Sequence, residues 1–324
     1  MRIPLLLGLS LSAMTIVACS SNSPGTGASP ATLSQLTAVG RAIGPNGVTP
    51  HRLANRHGWM KPDTSAARLY VSDEGDNLID VFSVPGYSLV GQITDGIDQP
   101  EGLATDENGY LYVSNLAGFT VTIYPPNSTT PSLTLTESNG PDDVAVTTKG
   151  YVLAGDVEGG VDVYPPGATS PSRRLTNPAI SDEVLGVGAD AQGNAYAAGN
   201  VSASGYHPAI VEFEKLKGAG TNLDLSDLSA PTGVLIDKKA NVVVSDYGDD
   251  DILIYPAGST SPSSTISVDT PDRSAVNKTE NLIYVPQGRS DDVDVLDYPS
   301  GTPVTIVKIG GFTTGAALVP APKP

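Results

Sequence analysis

Carboxylates are the side chains of this sequence best suited to chemistry. They recur in short groups: Asp73, Glu74 and Asp76; Asp98 and Glu101; Asp142 and Asp143; Asp156; Asp182 and Glu183; Asp246 with Asp249, Asp250 and Asp251; Asp272; Asp291 and Asp292. Carboxylates brought together repel one another unless neutralised. A hard cation does this, either Ca2+ with its roughly six to eight oxygen ligands or Mg2+. Other chemistries have less to work with. The three histidines are His51, His57 and His207, and the one cysteine is Cys19, so an internal disulfide, a cysteine zinc site and a Cys-His pair are excluded. No G-x-S-x-G elbow, Walker loop or dinucleotide fingerprint occurs. The formal charge of −17 repels phosphate backbones, which argues against nucleic acid as a partner.

What must position these groups is a repeat. The 324 residues include 35 Gly and 27 Pro, spaced between short Val, Ile, Leu and Tyr runs, as in a chain of many strands and turns. A unit of the form P-x-G-(apolar)-x-x-D-x-x-G, then Y-V-S-D, then an alternating strand ending in an aromatic, recurs along the chain. Its marked position falls at Gly102, Asp143, Gly186, Gly233, Arg273 and Gly315, about 40 to 47 residues apart. That period is the signature of propeller blades of four strands each.

Second strands end at Asp73, Asn115, Asp156, Asn200, Asp246 and Gln287, and third strands end at Phe82, Tyr124, Tyr164, Phe213, Tyr255 and Tyr298. The recurrent Asp or Asn suits a side chain that caps the following turn. Prolines after four of the aromatics, and at Pro131, Pro171 and Pro262, place the fourth strand at a blade edge, because proline cannot donate to a ladder. Arg68 to Asp73 reads as a second strand lacking a first, and Thr313 to Leu318 as a first strand lacking a second. The two ends complete one blade. The expected fold is all-β: a six-bladed propeller of four-stranded antiparallel blades over residues 67–319, closed by the C-terminal strand. Loops into the first strands and out of the second strands then share one face, so the acidic groups ring one mouth of the channel. The fourth blade has the longest spacing and an insertion from Val201 to Pro208, which makes Tyr206 and His207 candidate ligand contacts; simple drift in loop length is the alternative.

Residues 1–18 read as a signal peptide, with Arg2 followed by an apolar core from Ile3 to Val17 that falls short of the roughly 20 residues needed to span a bilayer. The end of this segment, Ile16-Val17-Ala18-Cys19, resembles the bacterial lipobox, which implies acylation of Cys19 and a membrane anchor. Ser20 at the next position, by resemblance to Gram-negative lipoproteins, implies the outer membrane of the cell envelope. Residues 19–33 form a Ser/Gly/Pro-rich tether. Residues 34–66 are an extension expected to pack on the propeller, and 320–324 a short tail.

The stretch GLATDENGYLYVSN, Gly102 to Asn115, resembles NHL repeats, and residues 67–319 look like a six-bladed NHL-type propeller. The resemblance extends more weakly to calcium-dependent gluconolactonases and streptogramin lyases. In those families a metal is held by Glu, Asn and Asp at the inner ends of different blades. The resemblance therefore implies Glu101, Asp142, Asp143 and Glu183 as metal ligands, and His207 as the one histidine within the blades for lyase-like base chemistry. The expected function is a lipid-anchored binding propeller for a protein, glycan or small-molecule ligand. The alternative is a divalent-metal-dependent lactonase-like hydrolase at the acidic mouth.

Overall fold

Period-two alternation ought to bury both faces of a strand sandwiched between blades, and it does. The computed structural model describes residues 57–61, 67–202, 205–288 and 290–319. Cys19, the signal and tether segments, His51 and the tail lie outside them. The described chain begins with β1 (Trp59–Met60), β2 (Ala67–Asp73), β3 (Leu78–Val84) and β4 (Leu89–Ile93). Blade 2 is β5 (Pro100–Thr105), β6 (Leu111–Asn115), β7 (Thr120–Tyr124) and β8 (Leu133–Thr136). Blade 3 is β9 (Pro141–Val146), β10 (Val152–Asp156), β11 (Gly160–Tyr164) and β12 (Arg173–Leu175). Blade 4 is β13 (Glu183–Ala189), β14 (Ala195–Val201), β15 (His207–Phe213) and β16 (Thr221–Asn222). Blade 5 is β17 (Pro231–Ile236), β18 (Val242–Asp246), β19 (Asp251–Tyr255) and β20 (Ser264–Ser267). Blade 6 is β21 (Ala275–Val276), β22 (Leu282–Gln287), β23 (Asp292–Asp297) and β24 (Pro303–Lys308), and β25 (Thr313–Val319) follows.

Six sheets result, each a meander, and β25 pairs antiparallel with β2 through Leu69↔Leu318, Tyr70↔Ala317 and Val71↔Ala316. Blade 1 is thus closed by the two ends of the repeat, as expected. It also carries a fifth strand, because β1 pairs antiparallel with the outer strand β4.

Each of the six interfaces between blades holds its own apolar cluster. In β10, Leu153 packs toward blade 4 while its neighbours Val152 and Ala154 pack toward blade 2. Such burial contributes about 1.5–3 kcal/mol per large aliphatic side chain. The repeated polar residues stitch the same interfaces. Ser72 donates to the Glu101 carbonyl (2.6 Å) and Ser114 to the Asp142 carbonyl (3.1 Å), so the Ser of Y-V-S-D ties its blade to the next. The third-strand tyrosines reach back to the preceding blade: Tyr124 donates to the Asp95 carbonyl, Tyr164 to Thr136 and Tyr255 to Ser226, at 2.6 to 2.9 Å.

Blade 4 absorbs its extra residues in two ways. Two single turns of 3-10 helix, Pro178–Ile180 and Glu214–Leu216, flank its strands. The Val201 to Pro208 insertion, read from sequence as a loop, instead lengthens the β14–β15 hairpin through Asn200↔Pro208 and Val201↔His207. Its outer strand β16 keeps two residues.

Four of the six marked positions are glycine because the inner strands approach one another too closely for a side chain. A Cβ on Gly102 would stand 2.7 Å from the Asp143 Cα, one on Gly186 2.8 Å from the Gly233 Cα, and one on Gly315 2.5 Å from the Glu101 carbonyl. Gly102→Ala is therefore expected to cost about 1–3 kcal/mol by forcing the inner strands of blades 2 and 3 apart. Urea denaturation checks this, and an unchanged midpoint would contradict the packing described.

Candidate axial carboxylate site

The two marked positions that are not glycine are Asp143 in blade 3 and Arg273 in blade 6. Three blades apart in a ring of six, they stand across the axis from each other. The Arg273 guanidinium lies among side chains and carbonyls of four other blades. Its Nη1 donates to Glu101 Oε2 of blade 2 (3.2 Å), Asp272 Oδ1 of its own blade (3.0 Å) and the Thr314 carbonyl of blade 1 (3.4 Å). Nη2 pairs with Asp142 Oδ1 of blade 3 at 3.2 Å, and Nε donates to the Leu185 carbonyl of blade 4 at 3.0 Å. Blade 5 meets the same residue through Gly233, where a Cβ would stand 3.1 Å from the Arg273 Cα. Asp143 completes the group, accepting from the backbone N–H of Val144 and of Val187, both at 2.8 Å.

Arg273, Glu101, Asp142, Asp143 and Asp272 are all buried. Desolvation governs their protonation. Burial pushes Asp143 up to about 7, against the pull of Arg273 and of its two amide donors. Burial likewise lifts Asp272 to about 6, opposed by Arg273. Glu101 is raised well above the ordinary carboxylate range, by burial first and then by the charge of Glu74. Burial works against the charge of Arg273, but Asp272, Asp142, Glu101 and Asp143 together outweigh it and hold the guanidinium protonated. Below this cluster a cavity of about 240 Å³ runs along the axis between the inner strands of all six blades, with Asp143 and Arg273 among its lining residues.

Of the four side chains expected to hold a metal, the fold brings Glu101, Asp142 and Asp143 together. Glu183 accepts from Asn200 Nδ2 at 3.2 Å. The donor set does not suit a bare divalent ion: oxygens of Glu101 and Asp142 are on a guanidinium, and both oxygens of Asp143 are on backbone amides. Among the described residues, no group of three or more His, Cys, Asp or Glu side chains is placed to hold a metal ion.

The solved structures establish the fold. One chain of a nidogen/laminin complex matches with a TM-score of 0.65 at 12% identity, over 79% of this chain and 100% of that one. A Bacteroides caccae protein of unknown function matches with a TM-score of 0.62 at 11% identity, over 79% and 99%. No protein-family profile matches the sequence, and neither does any curated protein. At these identities the likeness is one of architecture.

The remaining predicted site residues fall on the acidic face. Tyr206 packs half-buried against Leu185 and Ala230 beside Tyr247. Burial, then the charges of Glu183 and Asp246, raise its pKa. His207 is exposed at the first position of β15. The three Asp that end second strands cap the turns that follow: Asp73 accepts from the Asp76 N–H (2.9 Å), Asp156 from Glu158 (2.9 Å) and Asp246 from Gly248 (3.1 Å), whereas Asn115 accepts from the Asp98 N–H of the preceding loop (3.0 Å). Sequence reasoning used Arg273 only to set the phase of the repeat and missed its role. The signal was there, as a cation at a position that is glycine in four blades of six.

Two outcomes follow from this electrostatic arrangement. Arg273→Met leaves buried carboxylates without their cation and is expected to cost about 3–5 kcal/mol at neutral pH, and less at pH 5 where more of them hold protons. Chemical denaturation at the two pH values reads this, and an equal loss at both would count against it. In the wild type, Asp143 and Asp272 are raised from 3.8 when folded, so the folded chain binds more protons than the unfolded one above about pH 4. Stability is full below that and declines as pH rises through 6 and 7. Asp73 and Asp251, each lifted to about 7 by burial and neighbouring charge, act in the same direction. The melting temperature should be higher at pH 5 than at pH 8; a flat or inverted profile would refute the assignment.

Proposed function

We propose that this chain is a binding propeller of the cell envelope, anchored through acylated Cys19 and engaging a protein, glycan or small-molecule ligand through its loop-bearing acidic face. The observation that carries the reading is the Arg273 bridge. The carboxylates best placed for metal chemistry are already neutralised by a side chain of the protein itself, which makes them part of the scaffold. The NHL-like repeat supports the same reading, because such propellers present loops on a rigid ring. A lactonase-like hydrolase would need Glu101, Asp142, Asp143 and Glu183 around one ion, and the first three are otherwise engaged while Glu183 bonds to Asn200. Tyr206, Tyr247 and Phe312 supply aromatic surface near the mouth. A Cβ on Gly288 would meet Tyr247 Cε2 at 3.3 Å and Phe312 Cζ at 3.8 Å.

The anchor and metal binding are tested separately. Cells expressing the full chain should incorporate labelled palmitate into it and retain it with membranes, whereas Cys19→Ser should remain unlabelled; label on that variant, or none on the wild type, would overturn the anchor. Millimolar Ca2+ or Mg2+ should leave the wild-type melting temperature unchanged, since a ligand specific to the folded state must raise it. A metal-dependent rise that is lost in Glu101→Gln would instead favour the hydrolase.

A further inference from the structure

An aspartate recurs in the loops that join first to second strands, and its partners differ from blade to blade. In blade 5, Asp237 Oδ1 accepts from the N–H of Lys239 (2.9 Å) and of Asn241 (2.8 Å). Its Oδ2 accepts from Asn241 Nδ2 at 2.7 Å and from the Tyr298 hydroxyl of blade 6 at 2.8 Å. In blade 2, Asp106 Oδ1 holds the same kind of loop through the N–H of Asn108 and of Tyr110, both at 2.9 Å. Its Oδ2 accepts only at long range, from Asn108 Nδ2 at 3.5 Å and from the Tyr112 hydroxyl at 3.4 Å.

Strand register explains the difference. Leu296 is opposite Ile283 in blade 6, as Tyr164 is opposite Val152 in blade 3. Tyr298, two residues further on, therefore corresponds to Pro166. That proline rests over Gly150, where a Cβ would stand 3.5 Å from its Cγ, and it has no hydroxyl to offer Asp106. Between blades 5 and 6, Tyr298 clusters with Val243, Ile254, Ile266 and Ile283. By register these four correspond to Tyr112, Ile123, Leu135 and Val152. All of the latter, together with Asp106, line a cavity of about 200 Å³ between blades 2 and 3. The two interfaces thus share walls and acceptor. One is filled by the chain's own hydroxyphenyl group and the other is open.

The geometry points to this cavity as a binding site for a small monocyclic phenol, with the ring between Tyr112, Ile123, Leu135 and Val152 and the hydroxyl donating to Asp106 Oδ2. The size suits one ring, since a cavity of about 150 Å³ holds benzene. A hydroxyl donated to a carboxylate is a charge-assisted hydrogen bond, so the acceptor selects for the phenol over a plain aromatic. Loops between first and second strands lie on the face opposite the acidic mouth, so the inference stands independently of the function proposed above.

Calorimetric titration of the full chain with 4-methylphenol, which is the tyrosine side chain as a free molecule, tests it. One molecule should bind per chain in the millimolar range or tighter, and toluene, which lacks only the hydroxyl, should bind about tenfold more weakly. Ala168, half-buried in the cavity wall, offers a way to fill the space: Ala168→Phe should abolish binding while the melting temperature holds or rises. Ring signals of Tyr110 and Tyr112 in the wild type should shift on titration, a readout that needs no variant. Absence of binding at millimolar 4-methylphenol overturns the proposal. So does equal affinity for toluene, or binding that survives in a folded Ala168→Phe or leaves the Tyr110 and Tyr112 signals in place.

Discussion

The guanidinium of Arg273 is the contact through which the inner strands answer to one another. Six blades are held pairwise by apolar clusters, each joining only neighbours. Pairwise contacts do not by themselves decide what fills the axis. Arg273 does, because one planar side chain with five donors reaches blades 1, 2, 3 and 4 from blade 6. Buried charges are tolerated only when paired and hydrogen-bonded, and each carboxylate here has either the guanidinium or backbone amides as partner. The same logic explains the raised carboxylate pKa values: one cation cannot neutralise four buried anions, so part of the cluster holds protons instead.

The glycines around this group follow from it. An axial side chain needs space, and the inner strands supply it by meeting backbone to backbone at Gly102, Gly186, Gly233 and Gly315. The repeat also distributes its polar work. The Ser of the second strand bonds forward to the next blade, and the Tyr of the third bonds back to the previous one. Each blade interface therefore combines a dry apolar centre with hydrogen bonds at fixed sequence offsets. This is why a short degenerate motif can specify a closed ring once it is repeated.

The acidic face is best understood as two layers. Its inner layer, Glu101, Asp142, Asp143 and Asp272, is turned inward and balanced by Arg273. Its outer layer, with Asp95, Asp98, Asp182, Asp249 and Asp250 among its exposed members, faces solvent. Only the outer layer is exposed to partners, so the charge that a ligand would meet is that of the loops. Blade 4 differs from the others at this rim, because its lengthened hairpin lifts Tyr206 and His207 where other blades have a tight turn.

Much of the architecture was legible in the residues alone. Blade number, the order of strands, the buried aromatic closing each third strand and the closure of blade 1 by β25 follow from local patterns: alternation, turn residues and a period near 42. These are properties of neighbours in sequence. The convergence of carboxylates at one mouth was legible too, since it depends only on which loops share a face. What the carboxylates do there was not. Whether Glu101 and Asp142 would surround an ion or a guanidinium depends on the reach of a side chain 172 residues from Glu101, across a channel whose width is set by glycine contacts. The conversion of the blade 4 insertion into a hairpin was likewise decided by packing. Short-range pattern determines which elements form; distances between side chains of opposite blades exist only after the ring has closed.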